Sequence, residues 1–65
     1  MMTLQPQHID ADGNQVYYLM RGISYVATCY FTRVSDQWVI VGAGGLTVFA
    51  SPDFREIEKW VAGAK

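Results

Sequence analysis

A chain of 65 residues makes one domain with a small core, of a size that yields only about 3–5 kcal/mol of stability unaided. Its single cysteine excludes an internal disulfide, and one His beside one Cys cannot build a structural zinc site. Five basic against six acidic residues give a net charge of −1, which excludes a strong electrostatic grip on nucleic acid or on an anionic membrane.

Residues 1–10, MMTLQPQHID, carry neither a basic leader nor the apolar stretch of a signal peptide, and no apolar run reaches the length of a membrane span. With an unpaired cysteine, this pattern predicts a cytoplasmic protein. Pro6 suits an edge or an extended arm but not a central strand. Residues 1–8 therefore read as a loose arm, or residues 7–11 as a short first strand. Asp10, Asp12, Gly13 and Asn14 then mark a turn.

Residues 15–21, QVYYLMR, alternate as a strand. Val16, Tyr18 and Met20 share one face; Tyr17, Leu19 and Arg21 share the other. Gly22 can take the positive φ of a hairpin turn into residues 23–33, ISYVATCYFTR, the longest clean strand pattern in the chain. Its wholly apolar set, Ile23, Tyr25, Ala27, Cys29 and Phe31, is assigned to the core. Ser24, Val26, Thr28, Tyr30 and Thr32 form the mixed face. Cys29 reads as a small buried hydrophobe. Residues 34–37 turn the chain into a strand at 38–41, WVIV. The glycines at 42, 44 and 45 break that strand before LTVFA at 46–50 resumes it, with Leu46, Val48 and Ala50 on one face and Thr47 and Phe49 on the other.

The last element is a helix. Ser51 reads as its N-cap and Pro52 as its first residue, while Asp53 and Glu56 complement the positive end of the dipole. Phe54, Ile57, Val61 and Ala64 recur at helical spacing with Trp60 beside them; Arg55, Glu58 and Lys59 form the wet side, and Gly63 and Lys65 close the chain. The predicted class is α+β: an antiparallel β-meander of three to five strands with one C-terminal helix packed on one face, in two layers.

A helix about 10 Å across covers roughly two strands spaced about 4.8 Å apart. The bare face is expected to collect Tyr17, Leu19, Val26, Tyr30 and Phe49, with Val39 and Val41 or Trp38 and Ile40. An apolar patch of that kind marks an interface, for a second copy of the chain or for a larger protein. The competing reading is that sheet curvature or the N-terminal arm buries these groups within one chain. Small chains of this kind often serve phages or plasmids as modulators of other proteins, an analogy from size alone.

The chemical motifs dissolve on inspection. Residues 38–45, WVIVGAGG, resemble the start of a dinucleotide-binding unit, but the glycines run into a strand pattern and not a helix. Asp10, Asp12 and Asn14 match three calcium-loop positions, yet Gln15 stands where glycine is required and Arg21 where glutamate is required. His8 has no patterned nucleophile, and Ser24, Ser35 and Ser51 have structural roles. No catalytic, cofactor or metal site is expected, so the protein is read as a non-enzyme; an enzyme would need a composite site drawing on His8 or the Asp10 and Asp12 pair. The alternative function is single-stranded nucleic-acid binding, with Tyr17 and Tyr30 stacking on bases and Arg21 and Arg33 holding phosphates.

Overall fold

The computed structural model describes residues 1–64. Its strands are β1 (Met2–Ile9), β2 (Gln15–Arg21), β3 (Ser24–Thr32), β4 (Gln37–Gly42) and β5 (Thr47–Ser51), with a short 3-10 turn at Ala43–Gly45 and a helix, α1 (Phe54–Gly63). The strands form one antiparallel sheet in chain order, β1-β2-β3-β4-β5, and the helix packs against it. The α+β meander with a C-terminal helix is as the residues predict.

The N-terminus is not a loose arm. Met2–Ile9 pairs with β2 along its length, from Met2 opposite Arg21 to Ile9 opposite Gln15. Met2 is buried and Leu4 packs on the core, which anchors the strand. Pro6 is tolerated because β1 is the outer strand. The helix also starts later than Ser51 suggests. Ser51 is still in the ladder, opposite Trp38, and its Oγ accepts from the Asp53 N–H at 3.2 Å. Asp53 is the N-cap instead, with Oδ1 accepting from the Arg55 N–H at 2.9 Å. At the other end the helix stops at Gly63 with Ala64 as its cap; Lys65 lies outside the described residues.

The face assignment needs a larger correction. Near the turn, Arg21 stands opposite Ser24 and Met20 opposite Tyr25; beyond it, Leu19 stands opposite Ala27 and Tyr17 opposite Cys29. Val26 is the extra residue of a β-bulge, packed toward the core. A bulge-free hairpin would set Leu19 against Val26 and gather Tyr17, Leu19, Val26 and Tyr30 on one side. One inserted residue flips the phase of β2 against β3. Tyr17 and Leu19 therefore join Ala27, Cys29 and Phe31 beneath the helix. Ile23, expected in the core, sits in the two-residue turn and is 98% exposed. Gly22, with φ +62°, makes that turn.

Two further irregularities follow the same logic, at Gln7 in β1 and at Val48 in β5. The second brings Phe49 opposite Ile40, on the helix side. One continuous row, Pro6–Tyr17–Cys29–Ile40–Phe49, now crosses the whole sheet. Leu19, Cys29, Ile40 and Ile57 are the largest fully buried side chains of the core between this side of the sheet and the helix. Phe54 wedges between Tyr17 and Trp38, with ring centroids at 5.3 and 4.8 Å, and Trp60 stacks on Phe49 at 5.5 Å.

The helix touches both outer strands, β1 and β5. In a flat sheet these would lie about 19 Å apart, nearly twice the width of a helix. The sheet is therefore curled around α1, and bulges are the device that bends strands. Curling also lets one helix shield far more than two strands, so the expected bare apolar face is largely the covered one.

Candidate functional site

The face left uncovered is the convex one. Its central row runs Gln5–Tyr18–Thr28–Val41–Thr47 across all five strands. A second row sets Thr3, Met20 and Tyr25 side by side, and a third sets Tyr30, Val39 and Ala50 together. The Tyr18 and Tyr25 rings meet edge to face with centroids 5.0 Å apart. The Tyr25 hydroxyl and Thr28 Oγ1 share a 2.6 Å hydrogen bond that fixes the outer ring. Tyr18 is 37% and Tyr25 52% exposed, while Val16 and Val39 are buried among their neighbours.

Among the described residues, no Asp, Glu, Lys or Arg holds a paired position on this face. The charged side chains among the described residues sit at the turns, on the helix or at its N-cap, and, as Arg21, at the end of β2 in the helix-side phase. Arg33, in the turn after β3, pairs with Asp12, in the turn after β1, at 3.0 Å. Asp53 pairs with Arg55 across the first turn of the helix at 3.1 Å; the Arg55 side chain and backbone both hold its carboxyl below the usual range.

The expected interface residues divide. Tyr30 lies on the convex face. Tyr17, Leu19 and Phe49 lie beneath the helix, with Leu19 only 1% exposed. Val26 is spent on the bulge. Of the two options for β4, Val39 and Val41 are the pair on this face; Tyr18 and Met20 join it unexpectedly, and Tyr25, expected in the core, lies here with them. Their alternation was visible, but the phase between neighbouring strands was not. The proposed nucleic-acid set is not brought together either. Tyr17 is stacked on Phe54, Arg21 shares the helix-side phase of Tyr17 and Leu19 at the end of β2, Tyr30 is on the opposite face, and Arg33 is in a turn bonded to Asp12.

Asp10 Oδ1 accepts from the N–H groups of Asp12 and Asn14 at 2.9 and 3.0 Å, closing its own turn. His8 stands at the outer edge opposite Val16. Gly44 and Gly45 take positive φ in the turn before β5. Cys29 is 0% exposed, and burial pushes its thiol up to about 11. Among the described residues no three His, Cys, Asp or Glu side chains gather as metal ligands, and no helix is long and apolar enough to cross a membrane. An open cleft of about 350 Å³ lies between β1 and α1, floored by Met2, Leu4 and Val61 and edged by Glu58. Neither a protein-family model, nor a curated protein, nor a solved structure matches the chain.

Proposed function

We propose that this protein is a non-enzymatic protein-interaction module that works through its convex sheet face. The observation that carries the reading is the uncharged, tyrosine-bearing surface left open by the helix, centred on Tyr18, Met20, Tyr25 and Tyr30. Surfaces depleted of charge and enriched in Tyr and Met are the composition of interface cores. A rigid aromatic pair held by a hydroxyl bond loses little side-chain freedom when it is covered. The buried neutral thiol of Cys29 suits a reducing cytoplasm.

The test compares the wild type with Met20→Glu and Tyr25→Glu in affinity capture from the source cell, with Glu58→Lys on the helix as control. Recovered proteins, the protein's own untagged copy included, should be lost with both convex-face variants and kept with the control. Equal recovery by all four proteins rejects the reading.

A further inference from the structure

We infer that the occupant of the convex face is a second copy of this chain, docked about a twofold axis near Tyr18 and Thr28. The inference rests on the interaction reading above and names its partner. A twofold contact sets a patch against itself, so any charge near the axis meets its own like. The convex face has none among the described residues, whereas the helix and the turns carry Asp10, Asp12, Glu56 and Glu58. Its polar groups are also self-pairing. The hydroxyls of Tyr18, Tyr25, Thr28 and Tyr30 and the amide of Gln5 each both donate and accept, so a copy of the same surface can satisfy them. A polyanion would find no cation there.

The sheet edges point the same way. β1 carries Pro6 and an irregularity at Gln7; β5 is five residues long and bulged at Val48. Proline, bulges and short outer strands are the devices that blunt an edge against strand addition. Face-to-face packing is the remaining route for the sheet. The size of the face sets the strength. Four strand spacings by about six residues bound the footprint at about 400 Å² per copy, and two convex faces meet over less than that, around the axis, at the weak end of transient complexes. The dimer should thus exchange with monomer at accessible concentrations.

The experiment is sedimentation velocity and amide NMR on the purified wild type from about 10 µM to about 1 mM, the range where a weak interface of this size fills. The mass should rise from 7.3 kDa toward twice that value, with shifts confined to residues around Tyr18, Met20, Tyr25 and Thr28. Tyr25→Lys and Tyr25→Glu should each weaken association at least tenfold, and an equal mixture of the two should restore it. A constant monomer mass overturns the inference, as does a dimer whose shifts map to the β1–α1 cleft. A monomer whose capture of other proteins still depends on Tyr25 removes the second copy and leaves the interaction reading standing.

Discussion

Cys29 lies in the middle strand with its thiol sealed beneath the helix. Burial holds its proton up to about pH 11, against an ordinary value of 9.0. Between those values the unfolded chain releases a proton that the folded chain keeps, so stability falls as pH rises across that window. Cys29→Ala should lose that part of the alkaline slope in urea titrations at pH 8 to 11. For the same reason, iodoacetamide should label Cys29 only as fast as the chain opens. Asp53 gives the opposite sign. Its carboxyl is held below the ordinary value of 3.8 by Arg55, so its contribution is present above that value and fades as pH falls through the lowered one. Asp53→Asn keeps an acceptor for the cap without titrating, and should show a shallower acid slope in melting temperature than the wild type. Leu19 tests the face assignment directly. Leu19→Ala should cost about 2–5 kcal/mol in urea unfolding, whereas Tyr25→Ala, on the half-open convex face, should cost about 1 kcal/mol or less. Equal costs would contradict the covered and uncovered faces described above.

At the scale of the element, the bulge at Val26 is the feature on which the others depend. The strands β2 to β5 and the body of the helix are readable from local pattern, because alternation and helical spacing are properties of neighbouring residues; β1 is not, because Pro6 and weak patterning read as an arm and only pairing with β2 makes it a strand. The phase of β2 against β3 is not readable either, because it depends on whether a residue is skipped across the hairpin, and alternation within each strand looks the same either way. Tyr17 and Leu19 are turned under the helix by that bulge and Phe49 by the one at Val48, while Tyr25, expected in the core, is turned outward beside Tyr18 and Met20. Deleting Val26 tests the point. The shortened β3 would pair Met20 with Tyr25 and Leu19 with Ala27 in a regular ladder, so Tyr17 and Leu19 should stay beneath the helix. Cooperative thermal unfolding monitored by circular dichroism should persist, at a melting temperature lowered by the lost packing of Val26, and its disappearance would contradict the placing of Val26 as the extra residue. Deleting Gln7 likewise removes an unpaired residue and leaves His8 opposite Val16 and Ile9 opposite Gln15, at an exposed strand end, and should lower the melting temperature by a few degrees at most, roughly the shift expected for a change under about 1 kcal/mol.

For the whole molecule, curvature decides what is exposed. A single short helix closes the concave side because the sheet bends until both outer strands reach it. Phe54, Ile57, Trp60 and Val61 supply one wall of the core and the row from Pro6 to Phe49 the other. A chain ending at Pro52 would bare Tyr17, Leu19, Ile40 and Phe49 together. Such a patch favours association without order, so the near-ultraviolet circular dichroism of Trp38 and the tyrosines should vanish in that truncation while the full chain retains it. A truncated chain with an intact signal would show that the sheet holds its curvature without the helix.

The residues by themselves determined that this protein runs through several alternating extended segments, closes with an amphipathic helix and buries its thiol. Those properties depend on side-chain type at short sequence separation. Which face meets the helix, and which is left open, was decided only by pairing between strands. Bulges at Val26 and Val48 and the curl of the sheet are consequences of packing across the whole fold, and an open face is defined by what fails to cover it.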